Sequence, residues 1–164
     1  MIHVNARAIV IQKMNSETQI LIQKRNKPGE PECYELPGGR INEYELITDA
    51  IKREVYEETG LEVVEIENQD SQMVTYNHKD SFSIQCIRPF ASYQTIQGPV
   101  DSFGVYFVCR AKGKLLAQGD DSLDVHWASY DEINTLIKDK NFSEIDKPAV
   151  ILYMQENGLE HKVL

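Results

Sequence analysis

Residues 37–61 read PGGRINEYELITDAIKREVYEETGL, and the spacing inside this stretch decides how the whole chain is read. From Leu46 onward Ile47, Ala50, Ile51 and Val55 recur at helical intervals, while Asp49, Lys52, Arg53, Tyr56 and Glu57 fall on other faces. Gly60 supplies a stop, so the pattern predicts a helix over residues 46–59. At 3.6 residues per turn, Glu54, Glu57 and Glu58 stand at i, i+3 and i+4 and share one face. Three neighbouring carboxylates repel one another unless a cation sits among them, and hard oxygen donors suit Mg²⁺ or Mn²⁺. Arg53 is one turn from Glu57 and can also reach Glu45 at the start of the helix, which would orient the ligands from behind. Pro37-Gly38-Gly39 halts the preceding strand and lets the backbone turn tightly against the helix. A charge run by itself usually marks a solvated helix face; here the glycines and apolar positions make that reading insufficient.

The full register is Gly39, five residues, Glu45, seven residues, Arg53-Glu54-Val55, one residue, Glu57-Glu58, one residue, Gly60-Leu61. It resembles the Nudix box at every position which that family specifies. With residue frequencies near ~7%, the seven fixed positions coincide by chance on the order of once in 10⁸ starting points, so the match carries weight. The resemblance implies an α/β fold, a Nudix-type α/β/α sandwich with a mixed β-sheet. It also implies hydrolysis of a diphosphate linkage in a nucleoside diphosphate joined to another group, by attack of water on phosphorus. Mg²⁺ is the expected cofactor, with Mn²⁺ as a substitute. The implied metal ligands are Glu54, Glu57, Glu58 and the main-chain carbonyl of Gly38, with Arg53 and Glu45 as structural members of the catalytic set. The general base varies among relatives. Glu57 and Glu58 are one candidate group; Asp120, Asp121 and Asp124, ahead of a strand containing Trp127, are the other. Asp121 is nearest to the position where some relatives complete the metal site, although a Gly-Asp-Asp turn explains it equally well.

Outward from the box, residues 3–13 and 19–24 read as strands, the first with Val4, Ala6, Ala8 and Val10 on one face, joined by a turn at Asn15-Ser16-Glu17. Residues 61–67, 83–95, 103–112 and 125–128 read as further strands, and 130–138 and 144–157 as helices. Strands flanked by helices imply a sheet covered on both faces, in one domain over residues 1–164.

The formal charge of −9 argues against nucleic acid as a partner, since backbone binding needs a concentrated basic face; a small nucleotide-like molecule held through a metal is the partner expected. The absence of an apolar run of about 20 residues, and an N-terminal stretch broken by His3, Asn5 and Arg7, point to no membrane association and a cytoplasmic location. Cys33, Cys86 and Cys109 have no metal or redox spacing and read as reduced core or edge residues. Candidate substrate contacts are Lys24, Arg25, Arg40 and Arg88 for phosphate, and Tyr76, Tyr93, Phe103 and Tyr106 for stacking a base, although strand aromatics more often pack in a core. Tyr76 lies about where some dinucleoside-polyphosphate-cleaving relatives carry a tyrosine. His78 and His126 read as ordinary residues. Two alternatives are an isopentenyl-diphosphate isomerase, which would need catalytic Cys and Glu in another arrangement, and a non-catalytic nucleotide-sensing domain, whose carboxylates would be eroded. A homodimer is compatible with the chain.

Overall fold

The computed structural model describes residues 1–158, so the last six positions of the expected 1–164 domain, 159–164, lie outside the described residues. In chain order the elements are β1 (His3–Met14), β2 (Glu17–Arg25), β3 (Tyr34–Glu35), β4 (Gly38–Arg40), α1 (Ile47–Thr59), β5 (Glu62–Ile66), β6 (Met73–Asn77), β7 (Phe82–Cys86), β8 (Ala91–Gln94), β9 (Ser102–Lys112), β10 (Gln118–Gly119), β11 (Ser122–Ser129), α2 (Tyr130–Lys138) and α3 (Lys147–Glu156). A nine-stranded sheet has the central order β10-β11-β2-β1-β9-β5. It is mixed, because β1 runs parallel to β9 and antiparallel to β2.

Strand alternation divides the core. Ala6, Ala8 and Val10 of β1, Leu21 of β2, and Phe107 and Cys109 of β9 face Ala50, Ile51 and Val55 of α1. The intervening Ile9, Ile11, Ile20, Ile22, Tyr106 and Val108 face the opposite layer, with Ile133 of α2 and Val150, Tyr153 and Met154 of α3. Period-2 strands against period-3.6 helices thus produce the α/β/α sandwich that the sequence implies.

The sheet is split beside the Gly38-Gly39 pair. β1 and β2 leave a tight turn at Asn15 and Ser16, both at positive φ (51° and 69°), as hairpin turns require. They pair directly only between Ile11–Met14 and Glu17–Ile20. Beyond that they part, and residues 34–40 enter the gap, with β3 pairing to β2 at Gln23 and Lys24 and β4 pairing to β1 at Asn5–Arg7. The Pro37 carbonyl accepts the Ala8 amide at 2.9 Å, continuing the seam. The Gly-Gly pair is therefore part of the sheet. A Cβ at Gly38 would stand 2.6 Å from the Ala6 carbonyl oxygen and the Arg7 Cα, so only glycine allows this approach.

Two expectations need correction. The single long strand over residues 83–95 is two strands, β7 and β8, in different sheets, because the segment around Pro89 cannot continue a ladder. β7 instead pairs with β6, a strand the pattern did not suggest, in a separate hairpin that leaves Met73, Val74, Tyr76, Phe82 and Ile84 exposed. The last helix begins at Lys147, with Pro148 in its first turn, and residues 144–146 form a turn before it.

Candidate active site

α1 ends at Gly60, whose φ of 81° is left-handed and whose N–H bonds the Tyr56 carbonyl at 2.9 Å. At its other end no side chain of its own caps the helix; Gln85 of β7 supplies the acceptor, taking the Ile47 N–H at 2.8 Å. Between these ends, Arg53 organises the acidic residues. Its Nε and Nη2 hold the two Glu45 oxygens at 2.7 and 3.0 Å, its Nη1 lies 2.6 Å from Glu54 Oε1 and 3.4 Å from Glu57 Oε2, and its Nη2 also donates to the Arg40 carbonyl at 2.9 Å. The Arg53 hydrogen bonds lower the Glu45 pKa, so that pair stays ionised at neutral pH. The reach from Arg53 to Glu45 and Glu57 is the one the sequence suggests.

Glu54 and Glu58, one turn apart, both lie over the glycine strand. A Cβ on Gly39 would meet the Glu54 carboxylate at 2.6 Å, so the missing side chain makes room for that group. Glu58 is 9% exposed. Its Oε2 accepts from the Gly38 N–H at 3.1 Å and from Gln23 Nε2 at 2.7 Å. Burial pushes its pKa up to about 8, against the opposing pull of Arg7 and the two donors. Glu57 is the outward member, with its side chain 41% exposed.

Among the described residues, no three of the His, Cys, Asp and Glu side chains stand close enough to enclose an ion as they are placed. The donor chemistry nevertheless fits a hard divalent cation: hard carboxylate oxygens on one helix face, room opened by Gly39, and an arginine in the position of a counter-charge. Gly39→Ala tests the Glu54 part of this arrangement. Its Cβ would displace a flexible carboxylate, so the metal dependence of activity should weaken by roughly 10–100-fold with little change in melting temperature. An unaltered metal requirement would show that Gly39 does not place Glu54.

Beneath the site runs a buried polar network that sequence reasoning did not find. Arg7, 7% exposed, donates through Nη2 to the Leu36 carbonyl at 2.7 Å, to Asp146 at 3.0 Å and to Glu35 at 3.4 Å. Its Nε lies 2.7 Å from Asp146 Oδ1, close enough for ion pairing without the alignment of a hydrogen bond. Asp146 also accepts the Leu36 N–H and the Tyr106 hydroxyl, at 2.9 and 2.8 Å. The available signal was a charge among alternating alanines at Arg7 and an amide closing the run Ile20-Leu21-Ile22 at Gln23.

The remaining candidates are dispersed. Asp121 is the positive-φ residue (51°) of the β10–β11 turn; its side chain lies 3.9 Å from Lys27, and its carbonyl accepts the Asn26 N–H. Arg25 is held by Glu30 and Glu35, Lys24 by Glu32, and Arg40 stands 3.2 Å from His3 Nε2. The Arg88 carbonyl accepts from Asn68. Tyr76 is on the separate hairpin, edge-on to His78 with ring centroids 4.4 Å apart. Phe103 is partly exposed beside Val4. Tyr93 and Tyr106 pack on the core layer of α2 and α3, with the Tyr93 hydroxyl bonded by Asn5. His126 pairs with Glu132. The cysteines are all free.

The family model for the NUDIX domain matches residues 3–150. The chain belongs to the Nudix family. This Nudix hydrolase is similar in fold to the NUDIX domain of NrtR from Shewanella oneidensis, solved with ADP ribose, at 16% identity and a TM-score of 0.68 over 95% of this chain and 88% of that one. It is also similar to a MutT structure described in a structure and function analysis of MutT from Aliivibrio salmonicida and Vibrio cholerae, at 16% identity and a TM-score of 0.64 over 95% of this chain and 99% of that one. A third likeness is to a bifunctional NMN adenylyltransferase/ADP ribose pyrophosphatase from Francisella tularensis, solved with AMP and a Mn ion, at 20% identity and a TM-score of 0.63; the match covers 95% of this chain and 42% of that longer protein. No curated protein matches the chain in sequence. Among the described residues no helix is long and apolar enough to cross a membrane.

Proposed function

We propose that this Nudix hydrolase is a single catalytic domain that cleaves the diphosphate linkage of a nucleoside diphosphate derivative with Mg²⁺, or Mn²⁺ in its place. The substrate class comprises nucleoside triphosphates, oxidised nucleotides, nucleotide sugars and ADP-ribose. The observation that carries the reading is the convergence of Glu54 and Glu58 on the Gly38-Gly39 strand, with Arg53 holding Glu45, Glu54 and Glu57 from one side. Glu54, Glu57, Glu58 and the Gly38 carbonyl would hold the ion. A divalent cation bound there supplies charge neutralisation for the diphosphate and a lowered pKa for water. Water oxygen then bonds to one phosphorus, the bridging P–O bond breaks, and the electron pair leaves with the other phosphate. Glu57, the most accessible of the three carboxylates, is the better placed to take the proton from water; Asp121 would have to leave the Lys27 side of its turn to do so.

Arg40 and Phe103, both near the exposed end of β1, are the side chains best placed to meet phosphate and base; Arg25, Arg88 and Tyr76 have weaker claims from their positions. The test is a screen of nucleoside diphosphate derivatives with Mg²⁺ and Mn²⁺, scored by phosphate released after phosphatase coupling. The expected result is a metal-dependent hydrolysis of one subclass, abolished by chelation; substrate loss that is indifferent to chelation would overturn the reading.

A further inference from the structure

We propose that Gln23 is a positioning residue for the reaction, locking Glu58 so that one chosen oxygen faces the metal; this rests on the reading of Glu58 as a metal ligand. Gln23 lies past the point where β1 and β2 part, paired with Glu35 of β3, and it is fully buried. Its Nε2 donates to Glu58 Oε2 at 2.7 Å, and the Gly38 N–H donates to the same oxygen at 3.1 Å. Two donors from different strands therefore occupy Oε2, while no hydrogen bond reaches Oε1 among the described residues. A carboxylate fixed in this way offers a cation a single donor atom in a single direction, and cannot rotate into a two-oxygen clasp without losing both bonds.

A second observation makes the amide hard to explain as packing. The Gln23 side-chain oxygen is buried and has no hydrogen-bond partner among the described residues. Buried polar atoms are ordinarily paired, and an apolar side chain would follow Ile20-Leu21-Ile22 without this cost. What the amide adds over such a side chain is its donor to Glu58. It is the strand-borne counterpart of Arg53: the arginine holds Glu45, Glu54 and Glu57 from the solvent side, and Gln23 holds Glu58 from the core.

Gln23→Met keeps the volume and removes the donor. A Mn²⁺ titration followed by electron paramagnetic resonance reads affinity without turnover, and it should show the dissociation constant raised by roughly 10–100-fold. At saturating metal, kcat should fall by about tenfold or more with KM changed less than about threefold, and the metal-free melting temperature should stay within a few degrees of wild type. Wild-type affinity in a folded Gln23→Met protein would overturn the inference, as would a weakening that merely tracks lost stability. Should that variant fail to fold, the wild-type protein in crystals soaked with Mn²⁺ decides: ligation through Oε1 with Oε2 still on Gln23 is the expected result, and a two-oxygen clasp or ligation through Oε2 overturns it. Wild-type protein that takes up no Mn²⁺ would instead defeat the underlying metal reading.

Discussion

Replacing Glu58 with Gln is expected to lower kcat by roughly a hundredfold or more and, at the same time, to stabilise the metal-free protein above pH 8. The two effects have one origin. Burial raises the Glu58 pKa from its ordinary value of 4.5 to about 8. Between these values the folded protein binds a proton that the unfolded chain has released, so the associated stability is present below the lower value and is lost as pH rises through the upper one. A glutamine is neutral throughout and loses nothing, so the variant should melt higher at pH 9 by at least roughly 2–4 °C, the equivalent of about 1 kcal/mol for a chain of this size. Metal should restore the balance in the wild type, because an ion binding only the ionised carboxylate would offset the cost of keeping it buried. Mg²⁺ should therefore raise the melting temperature more at pH 8.5 than at pH 6, and should do so weakly in Glu58→Gln. Melting curves from pH 5 to 9, with and without Mg²⁺, together with kcat at saturating metal, check all of this. A variant with near-wild-type turnover, or a wild-type protein whose metal-free melting temperature is flat across that range, would contradict the assignment.

Asp146→Ala is expected to cost about 3–5 kcal/mol, the usual penalty for leaving a buried charge without its partner, or a fall of roughly 6–20 °C in melting temperature. The carboxylate is fully buried and accepts from Arg7, the Leu36 N–H and the Tyr106 hydroxyl. Removing it leaves Arg7, among the described residues, with Glu35 as its anionic partner, and leaves Leu36, two residues before Gly38, with an unpaired amide. The double replacement Arg7→Met with Asp146→Leu should recover most of the loss, because an apolar pair removes both charges together. Thermal melts of Arg7→Met, Asp146→Leu and the double variant close a cycle. A loss below about 1 kcal/mol in Asp146→Ala would mean that water, and not the ion pair, satisfies Arg7.

The helix, its acidic face and the two-layer core were legible because each depends on a period that the chain states directly. Val4 to Val10 alternate, and Ile47, Ala50, Ile51 and Val55 recur at helical spacing. What could not be read is long-range pairing. Nothing local says that residues 34–40 divide their hydrogen bonds between two strands, or that Met73–Asn77 finds Phe82–Cys86 instead of the main sheet. The same limit concealed the deeper half of the site. Arg7, Gln23, Glu35 and Asp146 make contacts that span up to 139 residues, and although Arg7 and Gln23 stand out within their apolar strands, nothing local names their partners. Asp121, for which the sequence allowed both a part in the chemistry and a Gly-Asp-Asp turn, sits in a turn at positive φ.

The way the sheet opens to admit residues 34–40 bears on how the enzyme can move. Because both flanking strands give their main-chain partners to this inserted segment, the platform under Glu54 and Glu58 cannot fluctuate apart from the central ladder. Loosening it would mean unzipping paired backbone at the heart of the molecule, among the costliest excursions a domain makes. Mobility needed for taking up substrate or releasing product therefore has to come from the rim, where backbone is not shared with the middle of the sheet.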